Sequence, residues 1–175
     1  MSSILKVDTI QTTAGAAPTA KSLGFSAGSV IQTQVSRYSG NSIDFGANAS
    51  YTTSNRSVTI TPKSSDSIIL VRYSASAYVQ EGAQAYFTLY RNSTNLYNQS
   101  GYSTNASTTH QGLTQVYSQT GTSFFPCTLE YADTPSSTSA LTYTLYGRSI
   151  SSGKSIYWPP GSVDAATFTA MEIAQ

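Results

Sequence analysis

Charge is scarce in this chain. Lys, Arg, Asp and Glu make up only 10% of its 175 residues, and the net charge is +1. An average soluble domain carries about 25%. Ser, Thr, Asn, Gln and Tyr must therefore cover most of the exterior. Phosphate contacts need clustered Lys and Arg, so the composition argues against a nucleic-acid binder. It argues equally against a polybasic membrane-surface protein. No run approaches the roughly 20 apolar residues of a membrane helix, so no membrane insertion is expected. The opening residues do not read as a signal peptide, because Lys6 and Asp8 interrupt the apolar run it would need. The expectation is synthesis in a cytoplasm.

Cysteine and histidine are almost absent too. Cys127 is the one cysteine, which excludes a disulfide within the chain. It follows Pro126 inside an apolar stretch and reads as a buried, inert thiol. His110 is the one histidine and lies in "STNASTTHQG", a loop by composition, with no nucleophile or carboxylate beside it. No H-x-x-H, C-x-x-C or D-x-D-x-D spacing occurs, so neither a metal nor a cofactor is expected. A Gly-rich phosphate loop is missing. The eight acids are scattered singly. Paired carboxylates for glycoside cleavage would have to meet from distant strands. No catalytic constellation emerges, and the expectation is a protein that is not an enzyme. Five Asn-x-Ser/Thr sequons, at Asn48, Asn55, Asn92, Asn98 and Asn105, read as a by-product of Asn, Ser and Thr richness.

Helical periodicity is lacking as well: no long segment repeats apolar residues at i, i+3, i+4 and i+7. What is present is alternation. "SVIQTQVSRY" (29–38), "SVTITP" (57–62), "DSIILVRYSASAYV" (66–79) and "QAYFTLYRN" (84–92) read as strands. So do "GLTQVYSQTG" (112–121), "SFFPCTLEYAD" (123–133), "SALTYTLYGRSI" (139–150), "KSIYW" and the terminal "ATFTAMEIAQ" (166–175). Pro126 marks its strand as an edge, a bulge or a strand start. Eight to ten short strands without helices exclude βαβ units. They predict an all-β fold, an antiparallel jelly-roll-like β-sandwich with an extended N-terminal arm.

The arm is the stretch "SSILKVDTIQTTAGAAPTAKSLG". Eight strand-like residues lead into a spacer of Thr, Ala, Gly and Ser, residues 11–24. The division predicted is 1–24 as docking strand and linker, and 25–175 as the sandwich. A lone strand cannot satisfy its own ladder and needs a partner. Ile4, Leu5, Val7 and Ile10 are the residues it would present to another chain.

Recognition candidates fall in three loops, 37–56, 91–112 and 147–164, rich in Tyr, Asn, Ser and Gly. Such loops combine rigid aromatic area with adaptable hydrogen bonding. Tyr51, Tyr97, Tyr102, Tyr157 and Trp158 are the residues that would meet a glycan or protein. Trp158, just before Pro159-Pro160, is the best single candidate, although large aromatics more often pack inside. The bland alternative is that loops of a low-charge all-β protein have this composition anyway. "AYFTLY" and "LTYTLY" carry aromatics on the face opposite their Ala and Leu residues. Two apolar faces on one strand predict burial on both sides, one by the core and one by a neighbouring subunit.

Three stretches taken in order resemble virion fibre and appendage proteins of tailed phages, especially phages of cyanobacteria and marine bacteria. They are "SILKVDTIQTTAG", "VTITPKSSDSIILVRYSASAYV" and "YTLYGRSISSGKSIYW" with "ATFTAMEIAQ". The resemblance implies a short fibre or knob, a homotrimer whose jelly-roll head is similar in style to tumour-necrosis-factor-like or C1q-like heads. It implies an N-terminal tag docked to other virion proteins of tail, baseplate or capsid, a location in the virion, and contact with a host-surface glycan or protein. The chain departs from long fibres in having no stalk, coiled coil or β-helix. Alternatives are a capsid or tail decoration protein that stabilises the particle without binding a receptor, and a polysaccharide depolymerase.

Overall fold

The computed structural model describes residues 24–40, 42–46, 50–99, 112–151, 153–158 and 165–175. Their strands are β1 (Val30–Ser39), β2 (Thr52–Ile60), β3 (Ile68–Val79), β4 (Gln84–Arg91), β5 (Thr94–Asn95), β6 (Thr114–Tyr117), β7 (Ser123–Asp133), β8 (Leu141–Ser149), β9 (Ile156–Tyr157) and β10 (Ala165–Ile173). Every pairing is antiparallel. Sheet A runs β1-β10-β3-β7 with β9 also on β3; sheet B runs β2-β8-β4-β5 with β6 also on β4. Four pairs nest inside one another: β1 with β10, β2 with β8, β3 with β7 and β4 with β6. That nesting is a long hairpin rolled into two sheets, a jelly-roll path. The all-β sandwich expected from alternation is the fold observed. The N-terminal arm, with Ile4, Leu5, Val7 and Ile10, lies outside the described residues.

Alternation holds because each sheet has one face in the core. In β3, Ile69, Val71, Tyr73, Ala77 and Val79 are buried, and Arg72 and Ser76 between them are exposed. In β10, Ala166, Phe168 and Ala170 point in while Thr167 and Thr169 point out. Pro126 sits opposite Ser76 in β7, which among the described strands pairs only with β3. An edge strand tolerates a residue without an N–H, so the proline interrupts nothing.

An aromatic cluster fills the space between the sheets. The Trp158 ring lies 4.3 Å from Phe87 and 5.0 Å from Tyr73, both edge-on. Tyr73 in turn meets Phe168 at 5.2 Å, and Phe45 meets Phe87 at 5.6 Å. The Trp158 indole N–H donates to the Ala75 carbonyl at 3.1 Å. Cys127 is also buried, and burial pushes its thiol up to about 11. At pH 8 about one molecule in a thousand then carries the reactive thiolate. Native protein should resist iodoacetamide at pH 8, and labelling should speed up as pH rises toward 11. Unfolding in guanidinium should expose the thiol at once; rapid native labelling at pH 8 would contradict the burial.

Two carboxylates tie the sandwich together. Asp133, ending β7 in sheet A, accepts from Arg91 Nη1 of sheet B at 2.8 Å to each oxygen. The Tyr143 hydroxyl of β8 also donates to it at 2.7 Å. Burial, then the bond to Asp133, raises the Tyr143 hydroxyl far above its ordinary range, so it remains a donor. Glu172 of β10 is fully buried and holds the β2–β3 turn. Its Oε1 accepts from the Lys63 and Ser64 backbone N–H groups at 2.7 and 3.1 Å and from Ser67 Oγ at 2.8 Å. Its Oε2 accepts from Gln32 Nε2 of β1 at 2.6 Å. One side chain near the C-terminus thus fixes the "TPKSSDS" turn and the edge strand.

Candidate functional site

Three surfaces carry chemistry. The first is the outer face of sheet B. Tyr86 and Tyr90 of β4 and Tyr146 and Arg148 of β8 all project there, opposite the core-facing Phe87, Leu89 and Leu145. Tyr90 and Tyr146 stack at 3.9 Å with 28° between their planes. The Arg148 guanidinium lies between two rings, 4.9 Å from Tyr51 and 5.2 Å from Tyr86. Asn95 Oδ1 accepts from Thr88 Oγ1 at 2.7 Å and from the Tyr97 backbone N–H at 3.1 Å. Burial raises the Tyr51 hydroxyl strongly, and Arg148 offsets only part of it; Tyr86 and Tyr90 move the same way for the same first cause. These phenols stay protonated at neutral pH and can both donate and accept.

Tyr51 and Tyr97, chosen from separate loops in the sequence, therefore belong to one cluster. The second apolar face of "AYFTLY" and "LTYTLY" is covered in part within the chain, and Tyr90 and Tyr146 on it stay half-buried. Tyr86 is 1% exposed within the single chain. Described neighbours such as Tyr51 and Arg148 pack on this face around Tyr86.

The second surface is a pocket of about 430 Å³ between Ser42–Asp44 and Thr53–Arg56. It owes its shape to a β-bulge. The β2–β8 register slips between Thr53 and Ser57, and Asn55 takes φ 56°. Asn tolerates this left-handed conformation better than most residues. Two short turns hold the bulge: Thr53 Oγ1 accepts from the Asn55 N–H at 3.1 Å, and Ser54 Oγ from the Arg56 N–H at 3.0 Å. Arg56 Nη2 donates to the Gly40 carbonyl at 3.1 Å, and its guanidinium lies 4.5 Å above the Tyr38 ring. The Tyr38 hydroxyl both donates to the Ser57 carbonyl and accepts the Ser57 N–H. Across the pocket, Asp44 Oδ1 accepts the Gly46 N–H at 2.7 Å. The Phe45 N–H and the Ile43 carbonyl bond β9 at Ile156 and just past it at Trp158.

The third surface is the outer face of sheet A. Strand register sets Val30, Ile173 and Ile68 in one row and Thr33, Met171, Leu70 and Ala132 in the next. Val35, Thr169, Arg72 and Glu130 follow. Val30 and Val35 are about half exposed, at 52% and 50%. Farther along, Tyr78 meets Phe124 at 5.2 Å and Tyr157 at 5.4 Å, and Phe124 is 67% exposed.

The expected contact residues thus separate. Tyr51 and Tyr97 face out from sheet B, and Tyr157 faces out from sheet A. Trp158 is 0% exposed and offers no surface, because β9 pairs with β3 and carries the indole between the sheets. Tyr102 and His110 lie outside the described residues, as does the docking strand. Sequence reasoning marked the loops 37–56 and 147–164, which hold Asp44, Asn55, Arg56 and Arg148, without singling out those residues for recognition, and it passed over Phe124. Asn55 carried a usable signal, a residue tolerant of positive φ placed just ahead of the alternating stretch 57–62. Among the described residues no group of three His, Cys, Asp or Glu side chains could hold a metal ion, and the pocket contains one carboxylate, Asp44. No protein-family model matches the chain, and no curated protein is similar to it.

Proposed function

We propose that this chain is a structural virion protein of a tailed phage, a short trimeric knob without catalytic activity. Its N-terminal arm docks to other virion proteins, and its head meets the host surface. The observation that carries the reading is the outer face of sheet A. On a chain so poor in charge, this face gathers half-exposed Val30 and Val35 with Met171, Ile173, Ile68 and Leu70. Apolar patches of that kind, when large, mark association surfaces. A heterologous contact closed around a threefold axis would cover it. The resemblance of the arm, the "TPKSSDS" turn and the terminal strands to phage appendage proteins supplies the biological setting. Glu172 gives that sequence pattern a physical basis, since it bonds the turn from the last strand.

Light scattering at micromolar concentration tests the reading. The wild-type chain should have the mass of a trimer. The double variant Val35→Glu with Met171→Glu buries charge in the shared face and should fall to a monomer with an unchanged β-sheet circular dichroism spectrum. A wild-type monomer would remove the trimer from the reading.

A further inference from the structure

We propose that the pocket between Ser42–Asp44 and Thr53–Arg56 is a saccharide subsite that takes one uncharged sugar residue. The proposal deepens the host-contact reading above and rests on it for its biological role.

Four observations converge. The pocket's volume, about 430 Å³, exceeds that of a single hexose and suits one residue of a longer glycan. Its charges are one acid, Asp44, and one base, Arg56, so it is neutral as a whole. An anion would meet the Asp44 carboxylate. A metal cation would find one carboxylate and the Arg56 guanidinium. A neutral polyol meets neither penalty, because hydroxyls both donate and accept.

The polar groups are also of the kinds a polyol needs. Asp44 uses Oδ1 for the Gly46 N–H, and a carboxylate has lone pairs beyond that one bond. Asn55 brings an amide that donates and accepts. Thr53 and Ser54 line the pocket too, and Ile43 gives an apolar wall for sugar C–H groups.

The bulge side of the pocket is braced by hydrogen bonds, which lowers the ordering cost of binding. The bulge is held by Thr53 and Ser54 from within, and by Tyr38 on β1 through Ser57. Bulges commonly re-aim a side chain beside a functional site, and strained φ values at non-glycine residues cluster there. Here the re-aimed residue is Asn55. No residue of the outer face of sheet A lines the pocket, so covering that face leaves the pocket available.

The test is nitrogen-15 correlation NMR of the intact chain, titrated separately with glucose, galactose, mannose, N-acetylglucosamine and sialic acid to about 50 mM, a range suited to millimolar dissociation constants. At least one neutral sugar should shift the amides of residues 42–44 and 53–56. Asn55→Gly keeps the positive φ at no steric cost while deleting the amide. It should weaken that sugar at least about tenfold, the loss expected when about 1.4 kcal/mol of contact is removed. Asp44→Asn should weaken it as well without altering the rest of the spectrum. Three results would overturn the site: no shifts at these residues with any neutral sugar, shifts confined to the tyrosines of sheet B, or tighter binding of sialic acid than of every neutral sugar. Fluorescent protein on host cells separates the two proposals. Cell labelling that survives Asn55→Gly rejects the subsite and leaves the knob reading standing. Sugar binding at the pocket by a protein that labels no cells does the reverse.

Discussion

Replacing Trp158 by Ala should cost about 3–5 kcal/mol of stability, the usual range for emptying a large aromatic site in a core. The indole touches Phe87 of sheet B and Tyr73 of sheet A, so its loss opens a cavity at the contact between the sheets. It also removes the hydrogen bond that the indole N–H donates to the Ala75 carbonyl. In a chain of this size each kcal/mol moves the melting temperature by roughly 2–4 °C. A fall of about 10 °C or more is expected by circular dichroism at fixed protein concentration. Trp158→Phe keeps a ring but not the donor, and should cost less, roughly 1–3 kcal/mol. If Trp158→Ala melted within about 2 °C of the wild type yet lost cell binding, the residue would be a contact after all.

Glu172→Ala is the second large effect. The carboxylate accepts four hydrogen bonds, two of them from the backbone N–H groups of Lys63 and Ser64. Hydrogen bonds to charged groups are worth about 1.5–3 kcal/mol each, and the terms are not additive because the turn can relax toward water. A net loss of about 3–4 kcal/mol is expected. Glu172→Gln retains one acceptor oxygen but sets an NH₂ against a donor, either Gln32 or the turn amides. It should cost about 1–2 kcal/mol. Glu81→Gln, an exposed carboxylate in the turn between β3 and β4, serves as the control and should stay within about 0.5 kcal/mol. Denaturant unfolding of the three variants provides the comparison. Equal losses for Glu172→Ala and Glu81→Gln would show that the buried network contributes nothing.

How far the fold can be read from the chain is clearest in particular strands. Residues 139–150 alternate without interruption, and β8 forms there because one face of it is core. Residues 66–79 yield β3 for the same reason. The start of β2 is illegible by contrast. Its first residues, Thr52–Arg56, read as loop because the bulge at Thr53–Ser57 breaks the period of two. The pocket is hidden with it. Asp44 and Asn55 are eleven positions apart, and only the slipped register brings them to one rim.

The tyrosines divide along the same line. Composition alone marks a Tyr-rich, charge-poor surface, and alternation alone assigns Tyr86, Tyr90 and Tyr146 to the face opposite the core. Neither says that Arg148 would slide between Tyr51 and Tyr86. That contact joins residues far apart in the chain. Trp158 shows the limit most sharply. Beside Pro159-Pro160-Gly161 it has the local signature of an exposed loop end, and yet the two residues before it pair with β3 and carry its ring inward. Period-two patterning depends on neighbours in sequence, so the chain by itself determines which segments are strands and which of their faces are apolar. Pocket, buried carboxylates and aromatic clusters depend on pairings between distant strands. Only the packed sandwich, where side chains far apart in sequence must share one volume, decides those.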